Sequence, residues 1–138
     1  MANWPFRHGV HDIGNGLYGY VQPDGTWGWS NAGLVTSQGE TLLIDTLMSV
    51  QLTRDMLAAF ARVPGGTRID RLMNTHANPD HFFGNGVVEG GEIIATTKTR
   101  AEMEGFNPQG LANLSANWEN MGEAGEFLFE TMGRYFDF

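Results

Sequence analysis

The segment that most constrains this chain is LMNTHANPDHFFGN at residues 72–85, where a polar cluster directly follows an apolar run. It holds two of the four histidines of the chain, and an aspartate directly precedes the second of them. The apolar run predicts a strand, so the polar residues follow its C-terminal end, which is where α/β proteins build binding sites. The cluster is either a metal site or a hydrogen-bonded polar turn.

The residues before this segment predict a β-meander. Glycine, aspartate and asparagine supply the backbone angles of tight turns between short apolar segments, which favours antiparallel pairing. The predicted strands are GLYGYVQ (16–22), AGLVTS (32–37) and TLLIDTL (41–47). The last of these is apolar on both faces, which is typical of a strand covered on both sides.

Helical periodicity begins after the meander. Ser49 is a candidate N-cap for a helix that reaches about Val63, and the PGG sequence at 64–66 ends it. RIDRLMNTH (68–76) and GEIIATT (91–97) predict two further strands, and a helix is expected from Lys98. Alternating strands and helices predict an α/β fold class, with an α+β order of layers.

Composition limits the partners and the possible metal ligands. A length of 138 residues is about that of one domain, and the net charge of −8 disfavours nucleic acid or an anionic membrane as a partner. Because the chain has no cysteine, any metal must be held by nitrogen and oxygen. No apolar run approaches the ~20 residues of a membrane span, and the N-terminus lacks a secretion signal, so we expect a cytoplasmic protein.

The acidic tail at residues 101–138 predicts one surface helix. Its apolar stripe consists of Leu128, Met132, Tyr135 and Phe136, which repeat at helical spacing. We expect this helix to cover a sheet.

The polar cluster has the composition of a metal site. His76, Asn78 and Asp80 alternate, so an extended segment would point them to one side, while a turn brings His81 around. Imidazole and carboxylate together suit zinc, with iron or manganese as alternatives.

At these residues the chain resembles the metallo-β-lactamase fold superfamily, whose signature loop reads HxHxDH after a strand. NTHANPDHFFGN is similar to a branch whose loop reads THANxDH followed by GN. The upstream stretch SNAGLVTSQGETLLIDTLMS resembles the early strands of the family, which end in the aspartate that supports the metal loop, here Asp45. The resemblance covers most of residues 10–105.

The resemblance implies an αββα sandwich with one or two metal ions, typically zinc. His76 would be a ligand of the first metal, and Asp80 and His81 would be ligands of the second. Asp80 would also orient the metal-bound water and is therefore the predicted catalytic residue. Asn78 occupies the position of the second histidine of the family, where an amide is a weaker ligand or supports the site by hydrogen bonding.

The family completes its site with residues from a second half of the fold. No histidine follows His81, and the only later aspartate is Asp137. We therefore expect residues 1–138 to form a single metallo-β-lactamase-like domain that is incomplete at its C-terminus. Its expected partner is its own C-terminal half or a second copy of the chain, and the chain alone is expected to have negligible activity.

The predicted function is metal-dependent hydrolysis of a small-molecule substrate. A metal ion lowers the pKa of bound water from 15.7 towards ~7 and polarises the scissile bond. Ester, thioester, lactone, lactam, sulfate and phosphate bonds all fit this chemistry. The alternatives are an iron-dependent oxidoreductase on the same fold and a non-catalytic remnant that binds a metal or a partner.

Two further pairs of residues have open roles. Trp27 and Trp29 fit either a substrate flap or packing over the sheet, since both roles suit large aromatic side chains on a hairpin loop. His8 and His11 favour a surface role or a satisfied polar role.

Overall fold

The strands form one mixed sheet in a computed structural model that describes residues 6–23 and 27–136. Their spatial order follows their order along the chain, and the first four pair antiparallel while the last three pair in parallel. The strands are β1 (Gly9–Gly14), β2 (Leu17–Val21), β3 (Ala32–Ser37), β4 (Glu40–Ile44), β5 (Arg71–Met73) and β6 (Glu92–Ile94). The sheet thus changes from a meander to a parallel arrangement at β4.

The predicted meander is confirmed at β2 and β3, with two differences around them. Strand β1 was not predicted, because its sequence GVHDIG has no regular apolar alternation. The predicted strand TLLIDTL ends at Ile44 rather than Leu47, because Asp45 has a φ of +61° and turns the chain out of the extended conformation. Residues 24–26, in the predicted hairpin loop between GLYGYVQ and AGLVTS, lie outside the described residues.

Helix α1 (Val50–Phe60) connects β4 to β5 and covers one face of the sheet. Ser49 caps it as predicted, with its Oγ accepting a hydrogen bond from the Leu52 N–H at 3.2 Å. The helix ends at Phe60, three residues before the predicted Val63. The buried side chains of Met56 and Phe60 lie in the core against the sheet.

The two faces of the sheet differ in burial. Strand register aligns a row of buried side chains beneath α1, consisting of Tyr18, Leu34, Leu43 and Leu72. On the opposite face none of the paired residues is buried. One row runs through Leu17, Val35 and Leu42 to the charged Arg71 and Glu92, and the other through Ile44, Met73 and Ile94. Only one face of the sheet is therefore covered by the described residues.

The remaining helices are short. They are α2 (Pro79–Phe82), α3 (Thr97–Gly105), α4 (Pro108–Asn117) and α5 (Glu123–Leu128), with 3₁₀ turns at Asn85–Val87 and Trp118–Asn120 and a π-helical turn at Phe129–Gly133. The helix predicted from Lys98 is α3, which begins at Thr97. None of the helices in the described ranges is long and apolar enough to cross a bilayer.

The prediction of one continuous acidic helix in the tail is wrong. The helical conformation is interrupted between α4 and α5, where Gly122 adopts a φ of +58° that helical residues do not have. Of the predicted apolar stripe, Phe136 is buried and Tyr135 is exposed, and both follow the last helical turn. The prediction from spacing did not give this packing, because it assumed that the helix was continuous.

Candidate metal centre

The candidate site lies where β4 and β5 end, at one edge of the sheet. Because these strands are parallel, the residues that follow them are neighbours. The Asp45 N–H donates to the Met73 carbonyl at 2.9 Å, and the Asn74 N–H donates to the Ile94 carbonyl at 2.9 Å. These bonds continue the ladder just past the strands and place Asp45 beside the segment 74–76.

The Asp45 carboxylate is a hydrogen-bond centre for this edge. Its side chain is buried, and its Oδ1 accepts a hydrogen bond from the Thr75 N–H at 2.8 Å. Its Oδ2 lies 2.6 Å from the Thr75 hydroxyl and 3.0 Å from His81 Nδ1. The left-handed backbone of Asp45, which aspartate tolerates better than most residues, lets one carboxylate serve both partners.

The two histidines of the segment lie side by side. The ring centroids of His76 and His81 are 4.2 Å apart. Candidate ligand atoms of Asp45, His76 and His81 all lie within 4.8 Å of one another. Asp80 Oδ2 lies 3.4 Å from His81 Nε2, so the structure also brings the predicted catalytic carboxylate to this cluster.

Asn78 has a different place in the loop. It precedes α2, and its backbone carbonyl accepts a hydrogen bond from the His81 N–H at 2.9 Å. Its side chain makes no hydrogen bond that caps the helix. The contribution of Asn78 shown by the structure is thus its backbone, and its role towards a metal remains a prediction.

His81 lies between two carboxylates, those of Asp45 and Asp80. The hydrogen bonds of His81 with Asp45 and Asp80 raise the pKa of the imidazole from 6.5 to about 9, despite its burial. Burial acts to raise the pKa of Asp45, but hydrogen bonds from His81 and Thr75 outweigh it and hold that pKa below its ordinary value. The hydrogen bond with His81 also lowers the pKa of Asp80. In the absence of a metal, His81 is a cation between two carboxylates.

Several polar residues that the sequence analysis did not assign hold the loop in place. Asn74 Nδ2 and the Thr46 N–H both donate to the His81 carbonyl, each at 2.9 Å. Asn85 Nδ2 donates to Asn74 Oδ1 at 2.7 Å, which closes the loop between its two ends. The available signal was that an asparagine stands at each end of the segment 74–85, Asn74 directly after an apolar run and Asn85 between two glycines.

Two further contacts join the loop to other elements. A Cβ atom on Gly84 would lie 1.9 Å from Thr53 Oγ1, so only glycine lets the loop approach α1 this closely. On the opposite side, the Ser30 hydroxyl donates to the Asp80 carbonyl. The loop is therefore fixed by the sheet edge, α1 and the segment after β2.

The hairpin tryptophans pack against α5 and the residues that follow the last helical turn. The Trp29 ring lies 5.2 Å from Phe136 and 6.1 Å from Tyr135, and Trp27 lies 5.8 Å from Phe127, measured between centroids. These contacts provide the packing role, while the predicted substrate role of Trp27 and Trp29 remains untested.

The N-terminal histidines have polar partners of their own. His8 Nε2 lies 3.3 Å from the Tyr20 hydroxyl, and His11 Nε2 lies 2.7 Å from the Arg7 carbonyl. The satisfied polar role expected for them fits these contacts.

The donor set at the sheet edge fits a zinc ion. Two imidazoles and a carboxylate are ligands that zinc prefers, and both rings have Nδ1 engaged in a hydrogen bond. This leaves Nε2 of His76 as the candidate ligand atom of that ring. Nε2 of His81 is the candidate of the second ring and lies 3.4 Å from Asp80 Oδ2, while Asp45 is occupied by three hydrogen bonds.

Comparison with known proteins gives the family. The sequence model of the metallo-beta-lactamase superfamily matches residues 25–131 of the chain. The chain therefore belongs to this superfamily. A comparison with curated proteins gave no match.

Solved structures show the same fold. A metallo-beta-lactamase from Hirschia baltica is 23% identical, with a TM-score of 0.57, and the match covers 69% of this chain and 46% of that one. The metallo-beta-lactamase FIM-1 from Pseudomonas aeruginosa, solved in its mono-zinc form, is 19% identical with a TM-score of 0.55, and the match covers 72% and 47%. The chain thus spans about half the length of these structures, and its six-stranded mixed sheet with helices has the metallo-β-lactamase fold.

Proposed function

We propose that this chain supplies the zinc-binding half of a metal-dependent hydrolase. The observation that carries the proposal is the grouping of Asp45, His76 and His81, with Asp80 alongside, at the edge where β4 and β5 end. Membership of the metallo-beta-lactamase superfamily supports the same chemistry.

The residues of the site would have three roles: to bind the metal, to orient water and to orient the metal ligands. His76 and His81 would hold zinc through Nε2, because Thr75 and Asp45 engage Nδ1 of the two rings. At His81 the ion would replace the longer contact of Nε2 with Asp80. When bound, zinc acts as a Lewis acid and lowers the pKa of water from 15.7 to about 7. Asp80 stays ionised near neutral pH and can accept a hydrogen bond from the attacking water through its carboxylate. Asp45 would orient the imidazoles without binding the ion.

The substrate class follows from this chemistry only in outline. A carboxylate that orients water beside a Lewis acid suits attack on a carbonyl, a sulfate ester or a phosphate ester. Esters, thioesters, lactones and lactams are the carbonyl compounds to test first.

We further propose that a second β-sheet, from a complementary half of the same fold, covers the open sheet face. Leu17 and Ile94 on this face are each 40% exposed, and Val35 and Leu42 between them are only half-buried. Apolar area of this kind stabilises by about 25 cal/mol per Å² when covered. The proposal is supported by the matches to solved structures, which cover only about half of each of those chains.

Zinc binding by the chain tests the ligand assignment. Equilibrium dialysis should show zinc bound to the wild type, and His76→Ala or His81→Ala should weaken binding by more than the about 100-fold typical of outer hydrogen-bonding partners. The control His11→Ala removes a half-buried imidazole that lies outside the site and should leave affinity unchanged. Equal affinity in His81→Ala and His11→Ala would overturn the assignment. Iron in place of zinc in the purified protein would favour the oxidoreductase alternative.

Activity and assembly test the second proposal. The chain alone should not turn over a panel of esters, thioesters, lactones and lactams, and it should gain activity with a complementary second-half polypeptide. Sedimentation should show a one-to-one complex with that polypeptide. Robust turnover by the isolated chain would contradict the need for a second half, and a stable dimer of the chain alone would identify a second copy as the occupant.

A further inference from the structure

The Thr75 hydroxyl lies between the Asp45 carboxylate and the His76 ring. Thr75 Oγ1 is 2.6 Å from Asp45 Oδ2 and 2.9 Å from His76 Nδ1. A hydroxyl has one proton to donate and can also accept, so it can serve both neighbours only if one of them supplies the second proton.

The direction of these two hydrogen bonds is determined by the carboxylate. Asp45 already accepts hydrogen bonds from the Thr75 N–H and from His81 Nδ1, so it acts as an acceptor and has no proton to give. Two oxygens 2.6 Å apart need a proton between them, and only the Thr75 hydroxyl can supply it. Thr75 Oγ1 must then accept from His76, and the proton of a neutral His76 ring is on Nδ1.

From this geometry we infer that Thr75 is a positioning residue that fixes the tautomer of His76. Thr75 donates its proton to Asp45 and accepts one from His76 Nδ1, so that Nε2 of His76 is left with a free lone pair for a metal ion. Asp45 acts on His81 directly and on His76 only through Thr75. The inference rests on the proposed metal-binding function for its purpose, but the tautomer itself is a property of the metal-free chain.

The experiment compares Thr75→Val with Thr75→Ser in the full chain without metal. Valine keeps the branched shape and removes the hydroxyl, whereas serine restores it. Two-bond ¹H–¹⁵N spectra of the imidazoles, recorded at pH values where His76 is neutral by its own titration, report which ring nitrogen carries the proton. The wild type and Thr75→Ser should show Nδ1–H on His76, and Thr75→Val should shift His76 towards Nε2–H.

The ring signals of His81 provide the internal control. Because Asp45 contacts His81 directly, His81 should keep its proton on Nδ1 in Thr75→Val, which also shows that the loop has kept its fold. Zinc affinity should fall by about 10–100-fold in Thr75→Val and recover in Thr75→Ser, as for other groups that orient a ligand.

The outcomes separate the two proposals. Nδ1–H on His76 in Thr75→Val, or Nε2–H in the wild type, would overturn the role of Thr75. If the wild type binds no zinc but Thr75→Val still changes the tautomer, the role of Thr75 stands and the proposed function fails.

Discussion

The metal loop at residues 74–85 and the C-terminal residues 108–136 are held to the rest of the fold by different kinds of contact. The loop is held by hydrogen bonds to Asp45, Thr46 and Ser30, and by the close approach of Gly84 to α1. The tryptophans at 27 and 29 contact the C-terminal residues through their rings, as between Trp29 and Phe136. Hydrogen bonds fix direction and distance narrowly, whereas ring contacts tolerate a wide range of centroid distances and angles.

This difference has a functional meaning. Metal ligands must be placed within about 0.5 Å of their productive positions, and directional hydrogen bonds can do so. The tail needs only to cover apolar surface, which is a non-directional requirement. We therefore expect the loop to respond sharply to small changes and the tail to respond weakly.

The largest expected effect is at Gly84, compared with Gly86 two residues later. Alanine at 84 would place its Cβ 1.9 Å from Thr53 Oγ1, whereas a Cβ at 86 meets nothing within 4 Å. Overpacking of this kind destabilises by about 3 kcal/mol, against about 0.5 kcal/mol for an unhindered surface site. Urea unfolding should show this difference, with weaker zinc binding only in Gly84→Ala. Equal stability of the two variants would mean that α1 does not constrain the loop.

The next effect is the pH dependence of the metal-free protein. Because the folded pKa of His81 is about 9 and its ordinary value is 6.5, the protonated ring stabilises the fold fully below pH 6.5. That contribution is lost as pH rises towards 9, so the free energy of unfolding should fall on the order of 2 kcal/mol over this range. The lowered pKa values of Asp45 and Asp80 add stability that is lost in acid.

The variant His81→Gln should remove the decline between pH 6.5 and 9, and His11→Gln should keep it. Chemical unfolding at closely spaced pH values, in the presence of a chelator, measures both. With saturating zinc the slope should reverse, because metal binding requires the deprotonated imidazole. A decline that persists in His81→Gln would assign it to another group.

The smallest expected effect is in the tail, where Phe136→Ala is compared with Tyr135→Ala. Phe136 is 4% exposed beside Trp29, whereas Tyr135 is 41% exposed. We expect Phe136→Ala to lower the free energy of global unfolding by about 1 kcal/mol, because the tail can detach locally while the sheet stays folded. Tyr135→Ala should change it less.

Amide hydrogen exchange of α5 and tryptophan fluorescence should report this local detachment in Phe136→Ala. If Phe136→Ala destabilised the whole protein as much as Gly84→Ala does, the tail would be as sensitive to substitution as the loop, which would contradict the expected difference between them.

Much of the fold could be predicted from sequence where local signals and tertiary packing agree. Strand β3 and the Ser49 cap of α1 were predicted at the positions that the structure shows. The predicted strand 41–47 was too long, because periodicity does not show that Asp45 leaves the extended conformation. The prediction of one helix in the tail was wrong for a related reason. The helix is interrupted by the positive φ of Gly122, and the spacing of apolar residues does not show this conformation.

The sequence by itself determined the family, the cluster of candidate ligands and the exclusion of cysteine chemistry, because all three depend on residue identity and short spacing. Only the tertiary structure decided how Asp45 meets Thr75 and His81, and how Asn74 meets Asn85. Partners that lie 30 and 36 positions apart come together because β4 and β5 are parallel and end at one edge. That pairing depends on the crossover through α1 and on burial of the sheet beneath it, which no local pattern specifies.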